Sequence, residues 1–235
     1  MDMHSRARVQ RVAIIIGLFT AIVSCVGDVS AISNSRDFFP LTVGRYIIYQ
    51  VSQEVYATAQ QTPSISNWEE KDEISRLVSD SAGIATYLVI RSSRTTSKGY
   101  WQKVKEYTVK KYPEMIVTNV DNRPVISMVY PISKGVTWNG NSFNTNGPAP
   151  FSYDQINQPA TINTKVFKQV LMVIERNDTS IINRYISTKQ YALGIGLVAD
   201  ELTALELCQT TDCIGSGKIE SGIRTSRQIV EFGDL

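Results

Sequence analysis

Short runs rich in Val, Ile, Thr and Tyr recur from Arg45 onward, cut at close intervals by Gly, Pro, Asn and Asp. Such runs suit a pleated, half-buried surface and the breakers suit tight turns, so the pattern predicts strands joined by turns. The first strand is expected over 45–57, followed by a break over 58–68, which is polar and holds one proline. Strands over 73–79 and 84–92 flank Asp80-Ser81-Ala82-Gly83, a turn whose glycine can take φ > 0. Tyr112-Pro113 separates strands over 100–111 and 114–120, and Asp121-Asn122 leads into one over 123–130. Asn177-Asp178 reads as the turn between strands over 164–175 and 180–188, and 218–232 is expected to close the sheet as its last strand. Consecutive strands, short turns and no clear amphipathic helix predict a mainly β fold. The expected form is a single antiparallel β-meander domain over 37–235, half-barrel or sandwich-like.

Two stretches fit this pattern less well. Residues 197–207 are rich in helix formers and their apolar positions do not alternate, yet the neighbouring strands favour a strand there. Residues 135–160 carry Asn139-Gly140, Asn146-Gly147-Pro148 and Pro150, with Trp138, Phe143, Phe151 and Tyr153 interleaved, which predicts a long loop. Its aromatics either pin the loop over one end of the sheet or form a ligand surface, for which Trp138, Asn139, Asn141 and Phe143 are the candidates. Residues 123–130 and 165–174 are apolar at both parities. A second apolar face needs a cover, which could be a helix, a second sheet or an apolar ligand.

The N-terminal region turns a free domain into an anchored one. Arg6, Arg8 and Arg11 precede an apolar run over 12–24 that ends at Cys25. The run is shorter than the roughly 20 residues of a spanning helix and reads as a signal peptide over 1–24. Its end, Ile22-Val23-Ser24-Cys25, resembles the bacterial lipoprotein signal, in which cleavage precedes a cysteine that is then acylated. That resemblance implies lipidation at Cys25, a membrane partner held through the acyl chains, and residence in the cell envelope, at the outer membrane in preference to the inner. Residues 25–36 are small and polar and predict a flexible tether.

Charge and composition then remove several kinds of chemistry. The chain has 24 Lys+Arg against 22 Asp+Glu, and three of those bases and one of those acids lie in 1–24, so the remainder is charge-balanced. A nucleic-acid partner needs a basic excess and is excluded. His4, within the expected signal peptide, is the single histidine, which excludes His-based nucleophile pairs and His-ligated metal sites from the domain. No catalytic residue, metal or cofactor is predicted, and the chain does not read as an enzyme. Cys208 and Cys213 form an even pair behind Cys25 and are expected to bond across a turn. Gly194-Ile195-Gly196-Leu197-Val198-Ala199 matches a dinucleotide fingerprint in letters, but too little chain follows to build the parallel sheet it needs. Neighbouring acids such as Glu69-Glu70 and Asp200-Glu201 point to opposite faces of a strand and look solvated beside Lys and Arg. A glycosidase built on a carboxylate pair is therefore the weakest reading.

Three segments stand in order along the chain: 39–46 (FPLTVGRY), 135–141 (GVTWNGN) and 191–198 (YALGIGLV). Their order and spacing resemble a group of uncharacterised lipid-anchored envelope lipoproteins of Bacteroidota. The resemblance runs from Cys25 to the 229–232 end. It implies an envelope location and a β-rich fold, and brings no catalytic residue, ligand or activity. Two functions follow as expectations. One is a non-catalytic interaction or assembly module with an envelope protein partner. The other is a carrier or binder of a lipid or other apolar ligand in a β half-barrel.

Overall fold

The first and last strands pair with each other, and this governs the whole architecture. A computed structural model describes residues 35–235, with 59, 61 and 96 excepted. It contains β1 (Arg45–Tyr56), β2 (Ser64–Ser81), β3 (Ile84–Arg94), β4 (Gln102–Lys111), β5 (Met115–Val120) and β6 (Arg123–Val129). These are followed by β7 (Thr137–Asn139), β8 (Pro150–Ile162), β9 (Lys165–Thr179), β10 (Asn183–Ala192), β11 (Gly196–Leu207) and β12 (Ile219–Asp234). All ladders are antiparallel, and the sheet order is β6-β5-β4-β3-β2-β1-β12-β11-β10-β9-β8-β7. Two six-strand meanders are thus joined at β1–β12, and the outermost strands, β6 and β7, are neighbours in sequence. The result is a nearly closed barrel-like sheet, which decides between the half-barrel and sandwich expectations.

Local chemistry explains the turns. Ala82 (φ 53) with Gly83 (φ 77), and Asp121 (φ 51) with Asn122 (φ 59), occupy the left-handed region as two-residue hairpins require. The strand expected over 197–207 is β11. Its apolar residues fail to alternate because Val198 and Ala199, both buried, sit at an irregularity of the β10–β11 ladder where the pairing steps from Gln190↔Ala199 to Tyr191↔Leu197.

Three expectations need correction. The break over 58–68 ends early, since Ser64–Trp68 already pairs with β1. Asn177 and Asp178 lie within the β9–β10 ladder opposite Ile186 and Tyr185. The reversal comes just after, where Ser180 Oγ accepts from the backbone N–H of Ile182 and Asn183 and offers the chain a side-chain turn. The loop expected over 135–160 keeps only its first half. From Pro150 onward it is β8, because Phe151 and Tyr153 are drawn into the core while Gln155 and Asn157 are taken up at irregularities in the β8–β9 ladder.

Two apolar clusters fill the sheet. One surrounds Phe38, Ile116, Met128, Leu171 and Tyr191, and the other Tyr49, Val51, Phe167, Val198 and Ile229. The second cluster answers the two-sided apolarity of β9. At the β8–β9 tip, Asn163 Nδ2 donates to Ile229 O at 3.1 Å, although three ladders, about 14 Å in a flat sheet, separate β9 from β12. The hairpin therefore bends back over its own sheet, and its Ile162 and Phe167 supply part of the cover.

A 3-10 helix, Ser35–Phe38, closes one end of the barrel. Arg36 Nη2 donates to Pro113 O (2.5 Å), Gly194 N donates to Asp37 O (2.8 Å), and Phe38 is fully buried. Arg36 also lies over the Tyr130 ring, and burial pushes that hydroxyl's pKa up to about 12. Arg36, assigned to the tether from sequence, thus belongs to the domain. The described residues thus hold twelve strands, this plug and both clusters, a core large enough for a domain.

Candidate functional site

The side of the barrel where β6 meets β7 is its weakest wall. β5, β6 and β7 have six, seven and three residues, while every other strand has ten or more. A sheet edge left here would expose unpaired backbone groups. Side chains close most of it. Ile126 N donates to Gly140 O (2.9 Å) and Trp138 Nε1 donates to Ile126 O (2.8 Å). Val129 N donates to the Tyr153 hydroxyl (2.8 Å), which donates in turn to Val129 O (2.5 Å), and Asn144 Nδ2 donates to Pro124 O (2.8 Å).

Most of the residues singled out in the 135–160 segment therefore have work in this seam. The Trp138 ring lies 4.7 Å from that of Tyr153 and 5.9 Å from that of Phe151. Asn139 Oδ1 accepts from the backbone N–H of Asn141 and Ala149, which draws the loop into a tight return. Asn141 donates to Gly147 O, accepts from Asn144, and also lines the interior cavity. Phe143 stands apart, 49% exposed. Cys208 and Cys213 are paired, with Cα atoms 5.8 Å apart, inside the usual span for a disulfide. Cys25 and the 1–24 segment lie outside the described residues.

Inside the barrel is a cavity of about 460 Å³. One part of its wall is apolar, formed by Phe39, Leu41, Ile74, Val89, Val109 and Phe151. The other is a belt of charge that sequence reading did not anticipate. Arg91 grips Asp72 with two bonds, Nε to Oδ1 at 2.7 Å and Nη2 to Oδ2 at 2.8 Å. Arg227 reaches across from β12, donating Nη2 to Asp72 (2.5 Å) and Nε to Glu70 (2.8 Å). Further round, Lys189 Nζ lies 2.6 Å from Glu175 and 4.0 Å from Asp200.

Strand parity assembles this belt. Glu70 and Asp72 are two apart on β2 and share a face, while Glu69 turns to Arg94 on the other side. The same rule sends Asp200 inward, opposite Arg227 and Lys189, and Glu201 outward to Ser226 and Gln228. The expectation that adjacent acids part to opposite faces describes both pairs. The expectation that they are solvated fails for the inward members, because the sheet curls around them. A visible signal was the alternation of Trp68, Glu70, Asp72 and Ile74 at one parity, an apolar-flanked acidic pair on what becomes the inner face.

Burial alone would raise the pKa of Asp72, but Arg227 and Arg91 overcome it and hold the carboxyl well below the usual range. Burial opposes charge on Lys189 as well, and Asp200 and Glu175 reverse that, so its ammonium is favoured. Arg227 and Arg91 also lie over the rings of Tyr49 (3.7 Å) and Tyr107 (5.5 Å). The carboxyls of Glu175 and Asp200 approach within the roughly 10 Å that separates the acids of glycosidases. Lys189 lies within reach of both, bonded to Glu175 and 4.0 Å from Asp200. Among the described residues no group of His, Cys, Asp and Glu could hold a metal ion, and no helix is long and apolar enough to cross a membrane.

The cavity meets solvent beside the short strands. Asp121 and Arg123 at the β5–β6 turn and Asn146 in the 140–149 loop line it and are exposed. The opposite limit is set by Phe39, Pro40 and the β10–β11 turn next to the plug.

No protein-family model matches the chain, and no curated protein does. Among solved structures, it is similar to a candidate exported protein with a YmcC-like fold from Bacteroides fragilis NCTC 9343, at 10% identity and a TM-score of 0.46, covering 84% of this chain and 99% of that one. It is also similar to a candidate lipoprotein from Parabacteroides distasonis ATCC 8503, at 10% identity and a TM-score of 0.41, covering 83% of this chain and 98% of that one.

Proposed function

We propose that this protein is a lipid-anchored, non-catalytic binding module of the cell envelope, one of the Bacteroidota lipoproteins its sequence resembles, whose barrel interior takes an apolar or amphipathic ligand. The observation that carries this reading is the cavity. Its volume of about 460 Å³ falls in the range of roughly 300–1,000 Å³ typical of small-molecule sites. Its wall combines a broad apolar surface with a band of charged groups, several of them fixed by one another, which divides affinity from orientation. The anchor part rests on the basic segment, the apolar run and Cys25. Acyl chains on that cysteine would hold the domain at a membrane, and two or more make the hold stable.

Native mass spectrometry of the 35–235 segment, purified without detergent from a host with a cell envelope, tests the binding part. A reproducible added mass that extracts into organic solvent is the expected result. A clean apo mass that also takes up no added amphiphile overturns it and leaves a module that works through a protein partner. Membrane sedimentation of Cys25→Ser tests the anchor. The variant should stay in the soluble fraction, and sedimentation with the membranes would refute lipidation as the hold.

A further inference from the structure

The charge belt discriminates between kinds of ligand head group. Its acids Glu70, Asp72, Glu175 and Asp200 face the bases Arg91, Lys189 and Arg227, while Arg45, Asp121 and Arg123 line the same cavity toward its two ends. One belt carboxylate is left without a hydrogen-bonded cation. Asp72, Glu70 and Glu175 each accept hydrogen bonds from belt cations. Asp200 accepts none among the described residues, and its nearest cation, Lys189 at 4.0 Å, is committed to Glu175 at 2.6 Å. Asp200 nevertheless lines the cavity, with its side chain 30% exposed.

A second group beside it is in the same position. Tyr191 lies two residues beyond Lys189 on β10, lines the cavity and is only 2% exposed. Its hydroxyl has no hydrogen-bond partner among the described residues, whereas the hydroxyls of Tyr49 and Tyr153 are bonded to backbone carbonyls. Among the described residues the fully buried side-chain atom without a partner is Asn119 Oδ1, so the Tyr191 oxygen is one that the cavity reaches. Burial first, then the negative charges of Glu175 and Asp200, keep this hydroxyl protonated, and its oxygen can accept a hydrogen bond. The rings of Tyr49 and Tyr107 already face Arg227 and Arg91, while Tyr191 and Phe39, their centroids 5.6 Å apart, face no protein cation among the described residues.

We propose that the cavity recognises an amphiphile with a cationic, ammonium-type head, which Asp200 pairs with and Tyr191 accepts from, its chain lying against Phe39, Ile74 and Val109. This rests on the binding reading above. An anionic head would find the belt's guanidinium groups already held by Asp72 and Glu70, which leaves Arg123, at the solvent-facing mouth, as the cation open to it. One desolvated charge-assisted hydrogen bond separates a charged head from a neutral one by about ten- to a hundredfold in affinity.

The test is calorimetric titration of the 35–235 segment with octylammonium, octan-1-ol and octanoate near pH about 7, where amine and acid are both charged. Octylammonium is expected to bind about ten- to a hundredfold more tightly than octan-1-ol, with octanoate weakest. Asp200→Asn should bring the amine to the level of the alcohol while leaving the alcohol unchanged. Asp200 loses no protein hydrogen bond in this exchange, so the fold is expected to survive, and Glu201→Gln on the outer face should change none of the three. Octanoate binding as well as the amine, or an amine preference that survives Asp200→Asn, overturns the proposal while the cavity reading stands. Binding of none of the three overturns both.

Discussion

This sheet is closed at two places, and they are built differently. At β1–β12 the chain uses backbone: twelve residue pairs from Arg45↔Asp234 to Tyr56↔Gly222, with one irregularity at Ile48/Tyr49. At β6–β7 there is no regular ladder, and the edge groups of three β6 residues are satisfied largely by Trp138, Asn144 and Tyr153. The ladder is a property of strand length and needs little of any one side chain. The side-chain seam depends on a handful of residues. The first should fail only with the whole sheet, and the second can open by itself.

The most damaging single change should be Asp72→Asn. Arg227 on β12 bonds Asp72 on β2 across the width of β1, so the pair braces the ladder from inside. Removing one partner of a buried ion pair costs about 3–5 kcal/mol, which a denaturant midpoint would report. The same residue sets an acid limit. Its native pKa is depressed, so its contribution is complete above the unfolded value of about 3.9 and is lost as pH falls below that toward the native one. Stability of the wild type should therefore drop below pH about 4 more steeply than that of Asp72→Asn.

Two glycines then compare the closures directly. A Cβ at Gly222 would lie 2.1 Å from Ala204 O, and its φ of +127 suits no other residue. Gly222→Ala forces β12 away from β11 at the point where Gly222 also ends the β1–β12 ladder opposite Tyr56, and should cost about 3 kcal/mol, at the top of the overpacking range. Gly140 sits in the side-chain seam, where a Cβ would lie 2.4 Å from the Phe151 ring. Gly140→Ala should cost about 1–2 kcal/mol, because ring and loop can shift together. Hydrogen exchange separates them further: Gly222→Ala should raise exchange across the sheet, and Gly140→Ala chiefly around Ile126. Equal spreading from both would show that the closures are not distinct.

The smallest effect is expected for Trp138→Phe, which keeps most of the ring and removes the bond to Ile126 O. About 1 kcal/mol should be lost, with faster exchange confined to β6 and its neighbours. A change in the affinity of any cavity ligand larger than this would restore Trp138 to the binding surface.

Legibility from sequence divides along the same line. The hairpins at Ala82-Gly83 and Asp121-Asn122 could be read because φ > 0 is a local demand met by local residues. β11 could be placed by its neighbours even though Val198 and Ala199 break its alternation. That the last strand, 218–232, closes the sheet could be read, but its pairing with β1 could not, since Arg45 and Asp234 carry no mark of being partners. The belt was hidden for the same reason. Parity tells that Asp200 and Glu201 part company, but which of them faces a cavity depends on the curvature of a twelve-strand sheet.

The plug at Ser35–Phe38 has a mechanical consequence. A pull arriving from the N-terminal side first meets the anchorages of Arg36 and Asp37 on two separate turns, then passes to β1. That strand is held on both flanks, by β2 and by β12. Hydrogen bonds in an antiparallel ladder lie across the strand, so tension along β1 shears two rows of them together instead of parting them one by one. A hold on that side would thus load a strand that is paired along both of its edges.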